Sequence, residues 1–226
     1  MSSWFIGVDL GQKNDPTAVA VLQRLVSFRP HQSPLLHSLN VLHVERLPLG
    51  APYPRVVERI REIVSHDHLA GDCSLAVDAT GLGAPVVDML RAVRLNCDIS
   101  PVNITGGDQQ SRSGKTWNVP KRDLLASLQL PLEHGQLKLA PCLKLMANLI
   151  REFTDFRSTT NSSGHVRLGA DGSGEHDDIV IAIALACWRA QRREVSGDAP
   201  DRPFNSHNMY NSVEDYDEVL RFHTRR

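Results

Sequence analysis

"WFIGVDLGQKNDPTAVAVL", Trp4–Leu22, holds two apolar runs parted by a polar turn. Trp4–Leu10 is apolar at odd and even positions alike, the pattern of a strand covered on both faces. Asp15-Pro16 is a turn signal, and Thr17–Arg24 follows as a second strand. Asp9 breaks the first run. A charge in a core strand costs several kcal/mol unless it is paired or binds a metal. Asp9 is therefore either a turn former ahead of Gly11 or part of a site. Asp15, beside its proline, reads as a turn former.

Outward from this pair, Asn40–Leu47 completes three strands, and Leu25–Leu39, with Pro30 and Pro34, reads as a loop. Arg55–His68 places Val56, Val57, Ile60, Ile63 and Val64 on one helical face. Cys73–Ala79 is a strand and Gly83–Val93 a helix. Cys97–Ile104 is a fifth strand, moved toward an edge by Pro101. Two more helices are expected at Lys121–Leu130 and Leu143–Phe156, the latter packing through Leu143, Met146, Ala147, Ile150 and Phe153. Ser158–Glu175 is polar and Gly-rich, with "HVRLGA" as a short hairpin strand. The last helix runs from near Asp177 to Arg193, its apolar stretch through Trp188 being too long for a strand.

The first three strands suit an antiparallel meander. The fourth and fifth need right-handed crossovers through helices, which lays them parallel to the first. The expectation is an α/β fold with a mixed five-stranded sheet, order 3-2-1-4-5, strand 2 antiparallel, and helices on both faces. Strands 1 and 4 are then neighbours, about 4.8 Å apart, and Asp78 ends strand 4. With register permitting, Asp9 and Asp78 share one site. "GEHDD", Gly174–Asp178, brings Asp177 and Asp178 to the start of the last helix. Taken alone, Asp177 reads as an N-cap and Asp178 as a first-turn charge. Asp78 likewise has a plain reading as a strand-ending turn with Thr80 capping the next helix. Carboxylates converging at one sheet edge suit hard divalent ions and phosphodiester hydrolysis. Histidine-rich zinc chemistry is disfavoured, because only His176 lies beside them.

With 226 residues, 41% of them hydrophobic, the chain has room for one well-buried domain. We place it at 1–193. From Glu194 onward no apolar period survives, so 194–226 is expected to be a disordered or partner-binding tail. The net charge of −1 leaves no global basic field, so nucleic-acid binding must rest on a local patch. Arg112, Lys115, Lys121 and Arg122 form the densest basic cluster near the strand ends and are candidates to hold a phosphate backbone. The cluster contains Ser-Gly-Lys-Thr, Ser113–Thr116. A phosphate loop would need glycine where Gln109 stands, and Pro120 delays the following helix. The reading is a mobile Gly/Ser loop, with no ATP bound. Cys73, Cys97, Cys142 and Cys187 form no Cys-x-x-Cys pair and read as reduced core thiols. No signal peptide opens the chain, and the longest apolar run, from Ile179, is too short to span a bilayer. No membrane is implied, and a cytoplasmic location is expected, the host's if the gene is viral.

"GVDLGQKNDPTAVAVL", "LAVDATGLGAPVVDML", "VNITGG", "NVPKRDLLASL" with "EHGQLKLAP", and "GEHDDIVIAIALA" occur in the order seen in the nuclease domain of phage terminase large subunits, which the chain resembles from about Trp4 to Arg193. That family belongs to the ribonuclease-H-like (RuvC-like) superfamily. The resemblance implies a metal-dependent DNA endonuclease cutting concatemeric viral DNA. Asp9, Asp78 and the pair Asp177/Asp178 would hold two Mg²⁺ or Mn²⁺ ions, with Asp178 favoured as the more direct ligand. It also implies a water nucleophile and 5′-phosphate and 3′-hydroxyl ends. Some relatives carry a further aspartate where Ile181 stands, so a fourth ligand or second-shell donor would be Glu175 or His176. The implied partners are double-stranded DNA and, since the family's ATPase domain is missing ahead of the first strand, a separate ATPase motor, small terminase subunit or portal. A RuvC-like junction resolvase and a non-catalytic packaging module are the alternatives. "DLGQKND" also resembles the first phosphate loop of actin-like ATP binders, a fold needing two such domains.

Overall fold

The computed structural model describes residues 2–11, 15–27, 36–69, 71–81, 83–155, 157–160, 166–169 and 177–193. The predicted 194–226 tail, Glu175 and His176 lie outside the described residues. β1 (Ser2–Asp9) pairs antiparallel with β2 (Ala18–Ser27), which pairs antiparallel with β3 (Leu36–Arg46). β4 (Cys73–Asp78) lies parallel to β1 on its other side, and β5 (Asp98–Thr105) lies parallel to β4. These five strands stand in the order 3-2-1-4-5.

Three short strands extend the sheet beyond that expectation. β6 (Ser111–Ser113) and β7 (Thr116–Pro120) form a hairpin on the β5 edge, and β8 (Leu137–Leu139) lies parallel to β3 on the opposite edge. β5 is therefore interior, although Pro101 suggested an edge. Pairing with β7 starts at Val102, just past the proline, so no ladder bond on that side is lost. Ser-Gly-Lys-Thr, expected in a mobile loop, is the hairpin turn. Ser113 pairs with Thr116 around Gly114, whose φ of 59° suits glycine at the first central position. β2 and β3 also reach further than expected, taking in much of the segment read as a loop. A second sheet pairs β9 (Arg157–Thr160) with β10 (Val166–Gly169), the hairpin anticipated around "HVRLGA".

α1 (Tyr53–Val64), α2 (Gly83–Ala92), α3 (Lys121–Glu133), α4 (Met146–Asp155) and α5 (Asp178–Arg192) match the five expected helices within a few residues. α3 passes through Pro131. The Ser127 carbonyl, which that residue's missing N–H leaves free, accepts from Gln191 Nε2 at 2.7 Å. α4 starts later than expected and is turned about its axis. Leu149 and Glu152 are buried, whereas Ala147 and Ile150 face solvent.

α5 is buried nearly all round and lies on β1, β2 and β4, which is why its sequence shows no polar face. Gly7 makes that close approach feasible. A Cβ there would stand 1.8 Å from the Ala182 carbonyl oxygen. At the C-terminal end of α5, Arg24 of β2 donates to the carbonyls of Ala190 (2.5 Å) and Arg193 (2.7 Å). The other sheet face, carrying Ile6, Val8, Leu75 and Val77, is also fully covered, with α1 and α2 as its layer. No described helix is long and apolar enough to cross a membrane.

Candidate metal centre

Register brings the first two carboxylates together. Gly7 pairs with Ala76 and Val8 with Val77, so Asp9 and Asp78 follow at the same level on neighbouring parallel strands. Period-two alternation puts both on the face that Gly7 presents to α5. α5 then delivers the other two. Ala182 sits over Gly7, and Asp178 lies one helical turn, about 6 Å, before it. Asp9 lies two strand residues, about 6.6 Å, beyond Gly7. The helix runs antiparallel to β1, so its acidic start and the two strand ends meet at one edge.

The electrostatics record that meeting. The Asp9 carboxyl is raised well above the usual carboxylate range, first by burial and then by the negative charges of Asp78, Asp177 and Asp178, against the opposing pull of Lys121. Asp78 is raised by burial, with Thr80 and Lys121 pulling the other way. The Thr80 amide and hydroxyl donate to Asp78 Oδ1 at 2.8 and 2.5 Å, and Ile104 N donates to the Thr80 hydroxyl. Thr80 thus orients Asp78 and ties it to β5. Asp177 Oδ2 accepts from Lys121 Nζ at 2.8 Å. Asp178, only 3% exposed, is held through both oxygens by Arg46, Nε to Oδ2 at 2.6 Å and Nη2 to Oδ1 at 2.9 Å.

Asp177 occupies the N-cap position of α5 without capping it. The backbone amides of Ile179 and Val180 instead donate to Glu152 Oε2 on α4, both at 3.1 Å. The other Glu152 oxygen accepts from Arg46. Burial pushes the Glu152 carboxyl up to about 7, and the Asp178 charge adds to it, against the hydrogen bonds from α5 and the Arg46 charge. Glu152 therefore supplies the cap expected of Asp177 and leaves that carboxylate turned toward the site.

Among the described residues, no three His, Cys, Asp or Glu side chains form a ready-made ligand set for a metal ion. Their oxygens are drawn to Lys121, Arg46 and Thr80. The donor chemistry nevertheless fits a hard cation. Among the described residues, Lys121 and Arg46 are the cations set against Asp9, Asp177, Asp178 and Glu152, and no described side chain donates a hydrogen bond to Asp9.

No family model and no curated protein matches the chain. Solved structures do. The large terminase nuclease from thermophilic phage G20c, with bound magnesium, superposes with a TM-score of 0.56 at 24% identity, over 83% of this chain and 82% of that one. The fold is that of the phage large-terminase nuclease.

Two further structures carry the same terminase-nuclease fold. One is a point mutant of the nuclease domain from the large terminase of bacterial virus Sf6, with manganese and beta-thujaplicinol. It matches at TM-score 0.57 and 13% identity, over 82% of this chain and 87% of that one. The other is the human cytomegalovirus terminase nuclease domain, manganese-soaked and inhibitor-bound, at TM-score 0.50 and 13% identity, over 86% and 88%. The fold shared with these terminase nucleases is ribonuclease-H-like.

Within the terminase-nuclease fold the basic candidates part company. Lys121, at the head of α3, points inward to Asp177. Arg122 pairs with Asp108 and Asp123. Lys115 is exposed in the hairpin turn, and Arg112 lies over the Trp117 ring, 4.9 Å from its centroid. Sequence reasoning missed Arg46 and Glu152. The one available signal was a glutamate among Leu149, Ile150 and Phe153 on an amphipathic helix.

Proposed function

We propose that the chain is a divalent-metal-dependent endodeoxyribonuclease of the terminase type, acting on concatemeric viral DNA. The observation that carries this reading is the convergence of Asp9, Asp78, Asp177 and Asp178 at one edge of the sheet, with negative charge in excess. The residues to hold the ions are Asp9, Asp78 and the Asp177/Asp178 pair, with magnesium or manganese supplying, when bound, an activated water and a stabilised leaving oxygen. Asp9 and Asp78 offer carboxylates from rigid strand ends, so neither depends on a mobile loop for its position. Thr80 fixes the rotation of Asp78. Arg46 and Glu152 hold the first turn of α5 and thereby Asp178. Lys121 neutralises part of the negative charge through Asp177. Arg112, Lys115 and Arg122 would meet the DNA backbone, which gives affinity without sequence choice. Residues 1–193 would form the nuclease unit, with an ATPase motor, small terminase subunit or portal as partners.

Supercoiled and linear plasmid, incubated with the protein in magnesium, manganese or EDTA beside Asp78→Asn, tests the reading. Metal-dependent cutting that the variant loses is expected. A folded wild type that neither cuts in either metal nor binds manganese by calorimetry would refute it.

A further inference from the structure

Three side chains from separate elements stack at the β6–β7 edge. Arg112 of β6 and Arg192 of α5 both lie over the Trp117 ring of β7, at 4.9 and 5.0 Å from its centroid. Arg192 also lies 4.9 Å over Trp188, which meets Trp117 edge-on at 5.7 Å. Both arginines are exposed, and among the described residues neither has an ion-pair partner. Their neighbours differ in this respect. Arg122, Arg189 and Arg193 pair with Asp108, Asp98 and Asp72. A guanidinium resting on an indole loses little freedom on binding, because the ring has already fixed its plane.

The stack is aligned with the acidic edge. Asp78 pairs with Val102, Val102 with Trp117, and Trp117 with Arg112. All four therefore occupy one cross-strand row on the face that α5 covers. Three strand spacings place the Arg112 backbone about 14 Å from that of Asp78, less than half a helical turn of duplex DNA.

We infer that Arg112 and Arg192, set on Trp117 and Trp188, form a phosphate clamp that holds the DNA backbone along the β5–β7–β6 side of the acidic edge. The clamp rests on the nuclease reading and adds Arg192 and the two tryptophans to it. It gives the substrate a direction, across the sheet edge toward the hairpin and away from β2 and β3. Planar, pre-set guanidiniums suit phosphate oxygens, which they grip in pairs.

The test uses the full chain, a fluorescein-labelled 30-base-pair duplex and EDTA, with affinity measured between 50 and 200 mM salt. Arg112→Gln and Arg192→Gln are each expected to flatten the log–log salt slope by about 0.9, so that each single variant loses about 3.5-fold less affinity over that range than wild type. Arg192→Lys should keep the slope, because the charge remains, while binding more weakly at low salt. Trp117→Phe should retain binding and remove most of the tryptophan emission change that DNA causes. Each variant's melting temperature shows that it is folded. Unchanged slopes in both glutamine variants, in a wild type that cuts plasmid, would overturn the clamp and leave the nuclease reading standing. A wild type that binds no duplex would overturn the clamp as well, and lack of cutting and of manganese binding would then take the nuclease reading with it.

Discussion

Replacing Asp9 by Asn should make the metal-free protein more stable while abolishing its proposed activity. In wild type the carboxyl is half-buried, has no hydrogen-bond donor among the described side chains and faces three other acids. An ionised group so placed costs several kcal/mol after relaxation. Asn keeps the shape and loses the charge, but its amide is itself short of partners, which costs about 1–3 kcal/mol. The difference leaves a gain of about 1–2 kcal/mol. For a domain of this size that is a rise in Tm of about 2–8 °C in EDTA. The pH dependence follows from the raised folded pKa. Well below pH 4, Asp9 is protonated in both states and carries no penalty. As pH rises the unfolded chain releases its proton first, so wild-type stability falls until the folded carboxyl ionises too. The advantage of Asn should therefore be larger at pH 8 than at pH 4. Calorimetric scans of both proteins at the two pH values, with EDTA, measure it. An Asn variant no more stable than wild type at pH 8, or one whose advantage is as large at pH 4, would refute the reasoning.

Other outcomes are equally specific. Glu152→Ala removes the acceptor for two α5 amides and one partner of Arg46, and should cost about 2–3 kcal/mol in chemical denaturation. Glu152→Gln should cost less, because one amide oxygen still caps. Gly7→Ala forces a methyl against the Ala182 carbonyl; a loss above about 3 kcal/mol is expected, visible as failure to accumulate folded protein. Lys121→Met, which removes the cation on Asp177, should tighten manganese binding in calorimetry, whereas Asp78→Asn should abolish it.

The central sheet was legible because its signals are local. Asp15-Pro16 marks the first hairpin, and helices separate Cys73–Ala79 and Cys97–Ile104 from their neighbours, which dictates crossovers. Asp9 and Asp78 stood out as charges ending apolar runs, and the run after Asp178 was long enough to be a helix. β6, β7 and β8 were missed because three to five residues carry too little periodicity, and a Gly-Lys turn looks like any polar loop. α4 was misoriented for a different reason. Its rotation is set by Glu152, drawn inward by the bare amides of a helix that starts 26 residues later. No window on α4 alone contains that partner. Arg46 is hidden in the same way, since its carboxylates lie 106 and 132 residues downstream.

α5 is clasped at both ends by side chains from other elements, Glu152 at its first turn and Arg24 at its last carbonyls. Between the clasps it cannot bend or slide without breaking one of them. It is a rigid rod of about 20 Å, at 1.5 Å per residue, with Asp178 at one tip and Arg192 at the other. A single residue inserted between Ala182 and Trp188 would turn one tip about 100° against the other. The two tips are thus phased by the length of the helix, and deletions or insertions within it should be tolerated far less than substitutions along it.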